Sequence, residues 1–182
     1  MKTKKHLKPL AVVLAGTCLA ALVACAGAPP STTTVPAALD PGRSVRVLAT
    51  ISATGVQIYE CRSTSGGTRA AWAFVAPEAQ LFDERGRSMG SHGAGPHWVA
   101  LDGSRVVGSV RARVDAPTSG AIPWLLLSTQ NTGVPGVLSA VTFIQRLNTE
   151  GGIAPVNGCD AQSLGRQASV GYRADYRLFV PA

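Results

Sequence analysis

The sequence predicts an all-β fold, a single-domain antiparallel β-sandwich or partly closed β-barrel with one disulfide. Three observations carry this reading. Apolar residues recur with a period of two through several segments, which is the pattern of strands with one face in a core and one in water. Turn signals punctuate those segments at short intervals: Asp83-Glu84-Arg85-Gly86, Asp102-Gly103, Thr118-Ser119-Gly120 and Gly151-Gly152. No long amphipathic helical pattern competes with them, so roughly eight to ten strands account for the folded chain.

Taken in order, the chain starts with an export signal. Lys2, Lys4, Lys5 and Lys8 precede the apolar run Leu10–Val23, too short and Ala-rich to be kept as a membrane span. The run ends in Leu22-Val23-Ala24-Cys25, which resembles a bacterial lipobox. Cleavage before Cys25 would leave that thiol to carry a diacylglycerol, with palmitate as an expected acyl group. The alternative is cleavage at a small-residue site around Ala24–Ala28, giving a free secreted protein. Ala26 follows the cysteine rather than an inner-membrane-retaining aspartate, so the resemblance to Gram-negative lipoproteins points to the outer membrane. Residues 1–24 are thus expected to be removed. Residues 25–42, rich in Pro, Ala, Thr and Ser, read as a lipidated cysteine and flexible tether, and 43–182 as the domain.

Within that domain GVQIYEC and AWAFVAP read as strands. SRVVGSVRARVD puts Val106, Gly108, Val110, Ala112 and Val114 on one face and arginines on the other. AIPWLLLST is apolar on both faces and reads as a central strand, with Pro123 at its start where a missing N–H is tolerated. VLSAVTFIQRLNT fits either a strand or a helix. SVGYRADYRLFV alternates again, with Val170, Tyr172, Ala174, Tyr176, Leu178 and Val180 on the apolar side. Asp102-Gly103 between alternating segments predicts a hairpin with a type I′ turn.

Charge excludes one class of partner. The whole chain carries 17 basic and 10 acidic residues, but its four lysines all lie in the signal. Their removal leaves 13 arginines against 10 acids, a net of +3 rather than +7. Those arginines are scattered, not clustered as a nucleic-acid footprint requires, so no nucleic-acid partner is expected. Of four cysteines, Cys18 leaves with the signal and Cys25 takes the lipid. Cys61 and Cys159 remain as an even pair in an oxidising compartment and are expected to be bonded.

The segments IYEC, WAFVAPEAQL, GSHGAGPHW, LDGSRVVGSV, IPWLLL, FIQRLNTEGGIAPVNGCD and YRADYRLF span nearly all of residues 55–179. Their order resembles the domain of unknown function 3455 family, found in exported bacterial and secreted fungal proteins. The resemblance implies export and one all-β domain, and it assigns no catalytic residue. The dehydrogenase names of some fungal members find no support, since no Gly-x-Gly-x-x-Gly follows a strand.

Chemistry-bearing residues concentrate in GSHGAGPHWVALDGS and QRLNTEGG. His92 and His97 are the histidines left after processing and flank a Gly-Ala-Gly-Pro turn. With Asp102 they are candidate ligand or metal residues, although a metal site needs a third donor in convergent geometry. The bland reading has both imidazoles hydrogen-bonded to backbone carbonyls. Ser91 or Ser104 with a histidine and Asp102 could form a hydrolytic set, yet no Gly-x-Ser-x-Gly elbow is present. Trp98, beside the glycine-proline loop, is the best candidate among the three tryptophans for a partly exposed binding ring, against core packing as the general reading, and Trp72 and Trp124 in apolar runs are expected in the core. Gln145, Arg146, Asn148 and Glu150 could line a pocket, with Arg146 suited to an anion by its planar fork. The expected function is therefore a lipid-anchored cell-envelope binding or interaction module for a small molecule, glycan or protein. No cofactor is expected, a metal remaining open. The alternatives are a metal-assisted or hydrolytic envelope enzyme centred on His92 and His97, and a structural envelope protein without a small ligand.

Overall fold

The computed structural model describes residues 34–182, except Ser65 and Thr68. The signal and Cys25 lie outside the described residues. Of the two architectures the sequence leaves open, the chain adopts the barrel, and the barrel is closed. Its strands are β1 (Val45–Ser63), β2 (Ala70–Phe82), β3 (Ser88–Gly93), β4 (His97–Ala100), β5 (Arg105–Val114), β6 (Trp124–Asn131), β7 (Phe143–Gly151) and β8 (Gln167–Pro181). Each pairs antiparallel with the next, and β1 closes on β8 from Val45 opposite Pro181 to Glu60 opposite Gln167. Closure removes the edge strands that an open sheet would have to protect.

The period-two pattern sets the inside. Ile51, Ala53, Ala79, Leu81, Val106, Leu127, Ile144, Tyr172, Ala174, Tyr176, Leu178 and Val180 pack into one core within the barrel. The segment that fitted either helix or strand divides: residues 137–142 form the β6–β7 connection, and from Phe143 it becomes β7, because only a strand can complete the ladder between β6 and β8. Trp98 reaches the barrel interior because β5 offers no side chain at Gly108. A Cβ there would lie 2.9 Å from the indole and 3.0 Å from Leu127.

Two local expectations change. A bulge between Val110 and Ala112 shifts the register of β5 against β6. Ala112 and Val114 thereby join an outer core with Trp124, Leu126 and Leu147, instead of following Val106 inward. Arg113, by the same shift, turns to the cavity side. The Asp102-Gly103 hairpin forms where expected, but not as a type I′ turn. Gly103 has φ +83° and Asp102 stays out of the left-handed region, with Gly103 N–H donating to Ala100 O and Ala100 N–H to Ser104 O. This is the longer hairpin loop with a glycine bulge. Asp83–Gly86 repeats it, with Gly86 N–H donating to Asp83 O and Asp83 N–H to Arg87 O.

The packed chain also begins ahead of residue 43. A single 3-10 turn, Ala37–Leu39, lays Leu39 at 0% exposure on the outer core, and Val35 packs beside it. The outer face of β5–β7 is too apolar to be left wet, and this segment covers it.

Candidate functional site

One end of the barrel carries the β3–β4 hairpin, the β5–β6 connection and the long β7–β8 loop. A cavity of about 490 Å³ opens there, a size ordinary for small-molecule sites. Its apolar wall includes Phe74, Val110, Ile122, Leu125, Leu127 and Ile153, and Trp98 forms part of its inner surface. Polar groups enter from Gln57, Tyr59, His92, Arg113, Arg146 and Tyr176. Among the described residues that line it there is no Asp or Glu.

The disulfide shapes the mouth. Cys61 and Cys159 are bonded, as the cysteine arithmetic predicts, and the bond ties the β7–β8 loop to the end of β1. Cys61 N–H donates to Arg166 O, Gly165 N–H to Cys61 O, and the Trp72 indole N–H to Asn157 O. Ile153 and Ala154 of that loop are thereby held at the cavity edge.

The two histidines part company. His92 is buried at 3% exposure, its ring stacked on Trp98 at 4.4 Å and edge-on to Tyr176 at 5.1 Å. Its Nδ1 lies 2.8 Å from His97 O. A carbonyl can only accept, so the neutral ring carries its proton on Nδ1. Burial pulls the His92 pKa down to about 4, against the opposing hydrogen bond to His97 O. The His97 ring instead lies over Gly93, with Nδ1 2.5 Å from Ala94 O. Adjacent positions on a strand face opposite sides, and in the antiparallel register His92 sits opposite Trp98 while His97 sits opposite Gly93. The pair therefore does not converge on a common ligand.

Asp102 is engaged elsewhere. Its Oδ1 accepts from Ser104 N–H and, at 2.6 Å, from Ser104 Oγ, while Oδ2 accepts from Val137 N–H at 2.8 Å. Ser104 Oγ in turn accepts from Leu138 N–H. These bonds hold the β6–β7 connection, with buried Leu138, against the opposite end of the barrel. The carboxyl pKa of Asp102 is held below its usual value, first by the Ser104 hydroxyl and then by the Val137 N–H. Asp102 and Ser104 thus form a turn staple with neither histidine in it. Among the described residues no three His, Cys, Asp or Glu side chains gather as a metal site would require.

The remaining candidates divide. Trp98 is not a partly exposed ring: it is 1% exposed, because Gly108 admits it to the interior. Trp124 is buried as expected, though in the outer core, and Trp72 is only half-buried. Gln145 faces outward, where its Nε2 donates to Leu39 O at 2.6 Å, so it ties down the N-terminal segment rather than lining the cavity. Asn148, at φ +49° in a bulge of β7, donates to Asp175 Oδ2 on the surface. Glu150 is exposed beside Arg173 and away from the cavity. Arg146 alone of this group lines the cavity, its Nε and Nη2 both donating to Pro123 O.

Other residues in the cavity wall, and Tyr172 beside it, escaped sequence reasoning. Tyr172 and Tyr176 stood in the apolar row of β8, and Gln57 and Tyr59 share a face of β1. The detectable signal was a polar tip recurring on an otherwise apolar face. Tyr59 donates its hydroxyl to Gly152 O at 2.6 Å. Tyr172 and Tyr176 hydroxyls, Gln57 Nε2 and Trp98 Nε1 are buried without a hydrogen-bond partner. Burial raises the pKa of Tyr172 and of Tyr176, so both remain protonated donors at any physiological pH. A family model described as "Protein of unknown function (DUF3455)" matches residues 41–180, from just ahead of β1 into β8. No curated protein and no solved structure matches the chain.

Proposed function

The chain belongs to the protein family of unknown function DUF3455, and we propose that this member is a lipid-anchored cell-envelope protein that binds a small molecule inside its barrel. The observation that carries the reading is the cavity itself. Four buried polar groups in and beside its wall have no protein partner. Leaving such a group unsatisfied costs about 1–3 kcal/mol, a cost that a ligand in the cavity would relieve. Cys25 would hold the domain at an outer-membrane surface facing the periplasm or the exterior, and the residues just after it would supply reach.

The neutral fluorophore N-phenyl-1-naphthylamine provides the test, with the full chain carrying Cys25→Ser to keep an acyl chain out of the assay. The expected result is saturable, blue-shifted emission that is abolished by Val110→Trp, a substitution at an exposed position on the cavity wall. Failure of both this probe and its sulfonated analogue 8-anilino-1-naphthalenesulfonate to bind, or uptake unaffected by Val110→Trp, would overturn the binding reading. For the anchor, cells grown with labelled palmitate should label the wild-type chain and not Cys25→Ser. An unlabelled wild type would overturn lipidation.

A further inference from the structure

We infer that the occupant of the cavity is an amphipathic organic anion, with its acidic head group at Arg146 and its apolar body along Val110, Leu125 and Leu127. This rests on the binding reading above and specifies its ligand class. The first ground is an unmatched charge. Arg146 is half-buried in the cavity wall, and among the described residues the ion pairs are Arg62–Glu60 and Arg87–Asp83, neither of which involves it. Its Nε and Nη2 both donate to the neutral carbonyl of Pro123, and its other neighbour is the neutral Tyr176 hydroxyl, so no partner carries a balancing charge. A partly buried cation without a counter-ion is costly, and a carboxylate or sulfonate beside it removes the cost.

The second ground is the sign of the orphaned groups. Gln57 Nε2 and Trp98 Nε1 can only donate, the hydroxyls of Tyr176 in the cavity wall and of Tyr172 beside it can donate as well as accept, and all four residues are at least nine-tenths buried. The Tyr172 hydroxyl feels both Tyr176 and Gln57, and the positive charge of Arg146 acts on both tyrosines. A site furnished with donors and a guanidinium, and lined by no carboxylate, favours an acceptor that carries negative charge over an amine or a metal cation. The apolar wall adds the second requirement, since an inorganic anion would leave those side chains uncovered.

The test uses two probes of one carbon skeleton, 8-anilino-1-naphthalenesulfonate and its uncharged parent N-phenyl-1-naphthylamine, titrated into the full chain carrying Cys25→Ser. The sulfonate is expected to bind at least about tenfold more tightly, the worth of a charge-assisted hydrogen-bond set. Arg146→Met should erase that preference while retaining uptake of the neutral probe, which also reports that the barrel is intact. Tyr176→Phe, which removes a single oxygen, should weaken the sulfonate severalfold and leave the neutral probe unaffected. Equal affinity for the two probes in the unmutated cavity, or equal weakening of both by Arg146→Met and by Tyr176→Phe, overturns the anion assignment while the binding reading stands. Failure of both probes to bind overturns the two together.

Discussion

His92 should make the barrel measurably weaker in mild acid. Its imidazole is buried between Trp98 and Tyr176, and burial pulls its pKa from 6.5 to about 4. The folded protein therefore takes up this proton less readily than the unfolded chain. Its contribution is complete above about pH 6.5, declines as the pH falls toward 4, and levels off below that. The gap between those two values, at about 1.4 kcal/mol for each tenfold in proton affinity, amounts to roughly 3 kcal/mol in all and roughly 2 kcal/mol by pH 5. The comparison stops at pH 5 because Asp83, Asp102 and Asp160 are hydrogen-bonded carboxylates held below their usual values, and they lose stabilisation only at lower pH. Urea unfolding followed by tryptophan fluorescence at pH 7 and pH 5, with the disulfide intact, reads the difference. The wild type should lose roughly 2 kcal/mol more than His92→Gln, which keeps a donor for His97 O but cannot titrate. A wild type equally stable at both pH values, or a His92→Gln variant that falls as far, would refute a buried neutral imidazole.

Three further outcomes follow from the packing. Leu39→Ala should cost about 2–4 kcal/mol in the same unfolding assay, since Leu39 is fully buried on the outer core. A loss within error of zero would mean that the segment ahead of β1 does not pack. Replacing Cys61 and Cys159 together by alanine should destabilise by about 4–5 kcal/mol in the chain-entropy model, because the bond closes a loop of 98 residues. Reduced and oxidised wild type of equal stability would contradict it. Asp102→Ala should bring hydrogen exchange at the Val137 amide close to that of an unstructured amide, since Oδ2 of Asp102 is its acceptor. Unchanged protection at Val137 would show that the loop is held by something else.

The strands were legible because an alternating apolar row on one face of a sheet has few other uses. Tyr172 through Val180 entered the barrel as that pattern required, while Val170 at the start of the row is only half-buried. The disulfide was legible from compartment and count. Closure was not, since the sequence of a sandwich strand and that of a barrel strand alternate alike. The outer core was hidden by a single bulge at Val110/Ala112, which reverses the face of three residues without any change in composition. The site was only half legible. His92, Trp98 and Arg146 were named, but His97 shares no face with His92, and Asp102 and Gln145 serve backbone. The tyrosines of β8 looked like core because a hydroxyl's lack of a partner is a fact of three-dimensional packing.

The central claim is that the barrel interior receives a ligand, and the indole N–H resonances test it with an internal control. Trp98 and Trp124 are both buried with unpartnered Nε1 atoms, but Trp98 lines the cavity and Trp124 lies in the outer core. Nitrogen-labelled protein carrying Cys25→Ser should show the Trp98 indole peak moving as 8-anilino-1-naphthalenesulfonate is added, with the Trp124 peak stationary. A stationary Trp98 peak at saturating probe, or equal movement of both, would contradict a ligand site inside the barrel.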